Sequence, residues 1–106
     1  MLNVFKSLSN ECKLIIVGTG DIKYVEKIKK MSVSLNLQNI VFLGYREDIV
    51  EILNVIDCVL LTSVTEGLPT VVIESYSQRK IAISTICGGV QEIIRDPVFL
   101  APSNDK

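Results

Sequence analysis

The sequence has 106 residues, 48% of them apolar and 22% charged, which suffices for one compact domain with its own hydrophobic core. Eleven basic residues nearly balance twelve acidic ones, and the net charge of -1 provides no broad basic surface for nucleic acid or anionic lipid. The absence of histidine excludes histidine-based catalytic triads and dyads, as well as histidine-ligated metals.

Two short apolar runs in the first half predict buried strands. The first run, residues 14–17, ends in a turn that contains Gly18 and Gly20, and the second, residues 40–43, stops at Gly44. Between them, four apolar residues at helical spacing predict an amphipathic helix that packs on a sheet: Tyr24, Ile28, Met31 and Leu35. The expected order is therefore strand, helix, strand.

The second half repeats this alternation. Apolar residues at helical spacing over residues 49–56 predict a helix, and residues 58–61 a third buried strand. A loop from Ser63 to Leu68 leads to a helix that we expect to begin at Pro69, since proline suits the first helical position, and to run to about Gln78. Further along the chain come a strand over 81–84, a helical turn over 90–94 and a strand over 98–100.

This alternation predicts an α/β fold with a Rossmann-like parallel sheet covered by helices. Ligands of such sheets bind at the carboxyl ends of the strands, here the loops over residues 18–21, 44–46, 63–70 and 85–91. We expect a single domain over residues 1–106. We also expect it to be truncated, because Leu2, Phe5 and Leu8 resemble the tail of a helix and the chain stops soon after its last strand.

The loop before Pro69 and the helix after it hold the densest set of candidate binding residues. A helix N-terminus offers free N–H groups to an anion such as phosphate, and the candidate amides are those of Gly67, Leu68 and Thr70. Carboxylates accept hydrogen bonds from sugar hydroxyls, so Glu74 suits a ribose diol and Glu66 a sugar. The alternative is that Glu66 caps the helix and Glu74 faces water.

Two glycine-containing turns have alternative interpretations. The first turn, with Gly18 and Gly20, lacks the third glycine of a dinucleotide-binding fingerprint and is better explained as a tight turn. The pair Gly88 and Gly89 either approaches a donor phosphate or only permits a positive φ.

The segment from Glu66 to Glu74, E-G-L-P-x-x-x-x-E, resembles the E-x7-E motif of retaining nucleotide-sugar glycosyltransferases of family 4, which have the GT-B fold. Two glutamates at this spacing are common by themselves. Four further segments resemble the same family in the same order, namely residues 14–20, 41–48, 56–63 and 88–94.

The resemblance implies the C-terminal, donor-binding half of a two-domain enzyme that transfers a sugar from a nucleoside diphosphate to a glycan or lipid-linked acceptor. It implies that Glu66 is a catalytic residue that contacts the transferred sugar, and that Glu74 binds the donor ribose. It also implies that no metal or other cofactor is needed, because basic side chains and helix dipoles neutralise the leaving diphosphate. The remaining donor-binding positions that it implies are Gly67, Leu68 and Thr70 at the sugar and diphosphate, Gly18, Gly44, Gly88 and Gly89 in the glycine turns, and Tyr45 and Arg46 beside the nucleobase.

The sequence departs from the family pattern at two places. The Arg and Lys that grip the diphosphate in the family precede the first matching segment, as does the acceptor-binding domain, so we expect the isolated chain to bind nucleotide-sugar weakly and not to turn over. Where the family commonly has Gly-x-Pro after the motif helix, this chain has Gln78-Arg79-Lys80.

Three alternatives to a transferase remain open: a nucleotide-sugar epimerase of GT-B-like fold, a non-catalytic Rossmann-like nucleotide-binding module, and an inactive remnant. Three cysteines cannot all pair, and they lie far apart in the sequence, at Cys12, Cys58 and Cys87. Since the sequence also has no signal-peptide pattern, we expect a cytoplasmic protein with buried thiols. We expect peripheral membrane association only through the complete protein, and no nucleic-acid partner.

Overall fold

The computed structural model describes residues 1–8 and 10–103, which divide into two compact units. The first is Met1–Glu47, and the second is Asp48–Lys106. Each unit contains parallel strands flanked by helices, which confirms the predicted α/β class. Among the described residues, no helix has the length and apolar character required to span a bilayer.

The first unit has one two-stranded parallel sheet. Its elements are α1 (Leu2–Leu8), β1 (Leu14–Val17), α2 (Ile22–Ser34) and β2 (Ile40–Gly44). The two strands pair in register from Leu14 opposite Ile40 to Val17 opposite Gly44, with an irregularity just before Val17. Apolar side chains from both helices and both strands pack around three buried residues, Leu2, Phe5 and Leu37.

The ends of α2 are set by two polar residues. At its start, the Asp21 carboxylate accepts hydrogen bonds from the N–H groups of Lys23 and Tyr24, at 2.9 and 3.2 Å. At its end, Asn36 takes a φ of 56°, the left-handed conformation that closes many helices. Tyr24, which we expected in the core, is 61% exposed, whereas Val25 next to it is half-buried.

The second unit contains a three-stranded parallel sheet in the order β3, β4, β5. Its core consists of Val72, Ala82, Val90 and Ile94, all at most 1% exposed. In chain order the elements are α3 (Ile49–Val55), β3 (Cys58–Leu61), α4 (Thr70–Ser77), β4 (Ile81–Thr85), α5 (Val90–Ile93), a 3₁₀ turn (Pro97–Phe99) and β5 (Leu100–Ala101).

Two predicted element starts were wrong by one or two residues. Pro69 is the N-cap of α4 and not its first helical residue, since its ψ of 92° is extended. Residues 98 and 99, predicted as strand, belong to the 3₁₀ turn, which begins where the Asp96 carboxylate accepts a hydrogen bond from the Val98 N–H. The last strand consequently starts at Leu100.

In the strands of the second unit, more exposed and less exposed side chains alternate, so the predicted burial of the strand over residues 58–61 was wrong. In β4, Ala82 and Ser84 are buried, whereas Ile81 and Ile83 are 48% and 38% exposed. Successive strand side chains point to opposite faces, and the core of this unit forms on the face where α4 packs. Cys58 is exposed for the same reason, and Cys12 is also exposed, while Cys87 is buried as expected.

The helix α4 ends in a left-handed residue that is not glycine. Arg79 has a φ of 58°, and its N–H and that of Lys80 bond back to the carbonyl oxygens of Tyr76 and Ser75 at 2.9 and 2.8 Å. This pair of bonds is a Schellman motif, in which glycine is the usual residue. The chain thus makes the turn after α4 with arginine in the left-handed position. Lys80 donates a hydrogen bond to the Asn54 carbonyl oxygen at 3.1 Å.

The turn after β4 packs against the loop between β3 and α4. Gly88 has a φ of +47°, and a Cβ at this position would lie 2.7 Å from the carbonyl carbon of Glu66, closer still to the carbonyl oxygens of Glu66 and Gly67. The Gly89 N–H donates to the Gly67 carbonyl oxygen at 2.9 Å. Glycine at 88 is therefore required both by the backbone conformation and by the approach of the neighbouring loop.

We predict that Gly88→Ala lowers the free energy of unfolding of the protein by about 2 kcal/mol or more, because alanine is strained at positive φ and its methyl group would collide with the backbone. The matched control is Gly67→Ala in the same contact, where a Cβ would meet nothing within 4 Å and φ is not positive. Chemical denaturation of both variants checks this prediction. Equal stability of the two would show that the approach at Gly88 is not as close as described.

Candidate functional site

Seven of the predicted site residues lie in the second unit, and most of them meet at one edge of its sheet. Strands β3 and β4 run parallel, so the loop after β3 and the turn after β4 leave the sheet at the same edge. The Gly88 contact joins them there. Glu66, Gly67, Gly88 and Gly89 are thus brought together, with Leu68 and Thr70 following directly along the chain.

Glu66 is half-buried and anchored through its side chain. Its Oε1 accepts a hydrogen bond from the Ser63 hydroxyl at 2.7 Å, within the length expected when the acceptor is a carboxylate. The Ser63 carbonyl oxygen accepts a hydrogen bond from the hydroxyl of Thr85 at the end of β4. Glu66 does not cap α4, whose N-cap is Pro69 without a side-chain hydrogen bond, so that alternative for Glu66 was wrong.

The N-terminus of α4 differs from that of α2 in its capping. In α2 the Asp21 carboxylate takes up the first N–H groups of the helix. In α4 no side chain caps the helix, and the Val72 N–H bonds at 3.1 Å to the Pro69 carbonyl oxygen. The first N–H groups of a helix point along its axis at the positive end of its dipole. A phosphate group would satisfy the amides of Leu68 and Thr70 here.

Glu74 lies one helical turn after Thr70, on the same face of α4. Side chains four residues apart on a helix have their Cβ atoms about 6 Å apart. Both residues are exposed, whereas Val72 and Ser75 on the other face are buried in the core. The Glu74 carboxylate is therefore accessible, on the side of the helix that carries its uncapped start.

The remaining predicted site residues belong to the first unit. The Gly18 N–H donates to the Gly44 carbonyl oxygen at 2.7 Å, and both glycines have positive φ, +119° and +69°. A groove of about 730 Å³ whose lining includes both glycines lies beside this turn. Tyr45, which follows Gly44, is 68% exposed, and Arg46 is exposed as well.

The capping of α2 is consistent with the interpretation of the Gly18 turn as structural. A dinucleotide site would need the start of the following helix for its diphosphate, and Asp21 places a negative charge there.

In the described ranges, 1–8 and 10–103, no group of three or more acidic or cysteine side chains is arranged to hold a metal ion.

Two residues at this site were not predicted from the sequence, namely Ser63 and Thr85. Ser63 precedes Glu66 by three residues in a loop, a spacing at which serine side chains commonly bond locally, and this signal was available. The contact of Thr85 with Ser63 joins residues 22 positions apart and depends on the pairing of β3 with β4, so only the fold reveals it.

Known proteins provide an independent comparison. The family model described as glycosyl transferases group 1 matches residues 1–106. An uncharacterized glycosyltransferase of Methanocaldococcus jannaschii, MJ1059, is 36% identical over 99 residues, which cover 89% of this chain and 24% of that protein. The chain therefore spans about a quarter of this relative's length.

Solved structures of two further proteins have a similar fold. The Anabaena protein Alr3699/HepE in complex with UDP-glucose superposes with a TM-score of 0.90 at 25% identity, covering 97% of this chain and 30% of that one. Its complex with UDP gives 0.89 with the same identity and coverage. The apo form of the lipopolysaccharide outer core galactosyltransferase WaaB gives 0.80 at 24% identity, covering 97% and 31%, and shows the fold alone.

These relatives favour the transferase prediction over an epimerase or a non-catalytic binding module. The family match includes the loop that holds Glu66, the helix that holds Glu74 and the turn that holds Gly88. It also includes the two glycine turns of the first unit. The chain belongs to the glycosyl transferases group 1 family.

Proposed function

We propose that this chain is the donor-binding part of a retaining glycosyltransferase that uses a UDP-sugar. The family membership and the relative that was solved with UDP and UDP-glucose support this donor class. The E-x7-E spacing of Glu66 and Glu74 supports retention of configuration. A glycan or lipid-linked molecule is the acceptor in this proposal, and the rest of the complete protein positions it.

The observation that carries the proposal is the uncapped start of α4 beside the anchored Glu66 carboxylate. A UDP-sugar carries two phosphates next to a polyhydroxylated ring, so it needs N–H donors for the phosphates and acceptors for the hydroxyls. The amides of Gly67, Leu68 and Thr70 supply donors, and the dipole of α4 stabilises the charge that develops on the leaving UDP. Glu66 supplies the acceptor.

In this proposal the carboxylates of Glu66 and Glu74 bind different parts of the donor. Glu66 accepts hydrogen bonds from hydroxyl groups of the transferred sugar, and its partial burial strengthens those bonds. Glu74 accepts two hydrogen bonds from the ribose diol, which UDP and every UDP-sugar share. Glu66 therefore recognises the transferred sugar, and Glu74 binds the nucleotide.

The glycine turns and the loop after Gly44 complete the proposed donor contacts. In this proposal Gly88 and Gly89 approach the donor phosphate, and the donor contacts of Gly18 and Gly44 that the family resemblance implies stay a prediction. The exposed ring of Tyr45 offers a stacking surface for the uracil base, with Arg46 next to it.

Chemistry beyond donor binding is assigned to the complete protein. With helix amides and basic side chains neutralising the diphosphate, we propose that transfer requires no metal ion. Weak donor binding and absence of turnover for the 106 residues alone stay predictions. A cytoplasmic location, with membrane association only through the complete protein, stays a prediction.

The proposal as a whole is tested with the complete natural protein that contains this chain. We expect UDP to raise its melting temperature, and at least one of UDP-glucose, UDP-galactose and UDP-N-acetylglucosamine to raise it further, because a ligand of the native state stabilises it. Isothermal calorimetry then gives the affinities. A protein that binds none of these four compounds would refute a UDP-sugar donor.

We predict that Glu66→Ala weakens binding of the preferred UDP-sugar by roughly tenfold or more and leaves the affinity for UDP within about twofold. The reason is that the lost hydrogen bonds to a charged acceptor involve the sugar alone, at roughly 1.5–3 kcal/mol. Calorimetry with both ligands measures the difference. Equal weakening of UDP and UDP-sugar binding would contradict the sugar assignment.

For Glu74→Ala we predict that the affinities for UDP and UDP-sugar fall together, by roughly tenfold or more, because both ligands carry the ribose. Glu51→Ala, the same change at an exposed residue of α3, is the control and should alter neither affinity. Unchanged UDP binding in the Glu74 variant would mean that the ribose lies elsewhere.

A further inference from the structure

The side chain of Glu66 is held by a hydroxyl group that lies outside the segment from Glu66 to Glu74. Ser63 Oγ donates to Glu66 Oε1 at 2.7 Å in a partly buried position. A carboxylate has two acceptor oxygens, and the Ser63 hydroxyl uses only Oε1. Oε2 can therefore receive a ligand hydroxyl while Oε1 stays bonded to the protein.

The hydroxyl donor is itself fixed by the sheet. Ser63 lies two residues after the last residue of β3, and its carbonyl oxygen accepts the hydroxyl of Thr85, the last residue of β4. Strands β3 and β4 pair in register up to Leu61 opposite Ser84. Because Thr85 follows directly on this paired segment, the position of Ser63 is tied to the hydrogen-bonded ladder of the sheet.

The backbone of Glu66 is held at the same time from the other side. Gly88 lies against its carbonyl group, and the Gly67 carbonyl oxygen accepts the Gly89 N–H. With the backbone and one carboxylate oxygen both held, the side chain has little rotamer freedom left to lose when a ligand binds. Fixing a glutamate on binding otherwise costs conformational entropy and weakens the complex.

We propose that Ser63 is a positioning residue for donor recognition, which orients the Glu66 carboxylate toward the sugar of a UDP-sugar before the donor binds. This inference rests on the proposed function of Glu66. Ser63 makes no contact with the donor itself and acts only through the carboxylate. Its effect is therefore restricted to the part of the affinity that the sugar contributes.

The test compares Ser63→Ala and Ser63→Thr with the unmodified complete protein, using UDP and the UDP-sugar that binds it most tightly. In Ser63→Ala we expect the affinity for the UDP-sugar to fall roughly five- to tenfold, the size of one hydrogen bond of ordinary strength, because the carboxylate remains and only its orientation is lost; the affinity for UDP should stay within about twofold. Ser63→Thr keeps the hydroxyl and should restore most of the UDP-sugar affinity. Ser34→Ala, at an exposed serine that bonds only the Met31 carbonyl oxygen, is the control and should change neither.

Each other outcome overturns the proposal in a recognisable way. Equal losses for UDP and UDP-sugar in Ser63→Ala would indicate a purely structural role, and no loss would show that Glu66 is oriented without Ser63. A threonine variant as weak as the alanine variant, with UDP binding intact, would show that the hydroxyl is not the active group. If the unmodified protein bound UDP and every UDP-sugar equally, the role of Glu66 itself would fail, and that of Ser63 with it.

Discussion

The contact between the loop after β3 and the turn after β4 is the constraint on which the candidate site depends. The carbonyl groups of Glu66 and Gly67 lie so close to Gly88 that no side chain fits there, and the Gly89 N–H bonds the Gly67 carbonyl oxygen. A loop of eight residues between strand and helix would otherwise have many conformations. Here the loop is held by Thr85 and by the turn at Gly88, which lie at and just after the end of β4. Because β4 is paired with β3, the sheet fixes both contacts and, through them, the position of Glu66.

The capping of the helices sets the electrostatics of the two units. Among the described helices of eight or more residues, α2 and α4 both follow a glycine-containing loop. Asp21 occupies the start of α2 with its own carboxylate, so an anionic ligand would meet negative charge there. At α4 the cap is Pro69, which has neither an N–H nor a polar side chain, and the positive end of the dipole has no charge of the protein itself bonded to it. Only the second arrangement suits a diphosphate.

Much of the fold could be predicted from the sequence, because short apolar runs ending in glycine and helical spacing are local signals. The position of β1 and the existence of α2 followed directly from them. The expected burial of Tyr24 and Cys58 was wrong, since spacing alone does not show which face of a helix or strand is covered within its unit. At the site, the motif spacing identified Glu66 and Glu74, whereas the support by Thr85 depends on strand pairing and the exclusion of a side chain at Gly88 depends on packing. Neither of these has a local sequence signal.

The most direct measurement is a crystal structure of the complete protein with its preferred UDP-sugar bound. We predict diphosphate oxygens within hydrogen-bond distance of the Leu68 or Thr70 N–H, a sugar hydroxyl on Glu66 Oε2, and the Ser63 hydroxyl still on Oε1. A donor whose phosphates lie away from the start of α4, or a Glu66 carboxylate that contacts no part of the sugar, would contradict the central claim.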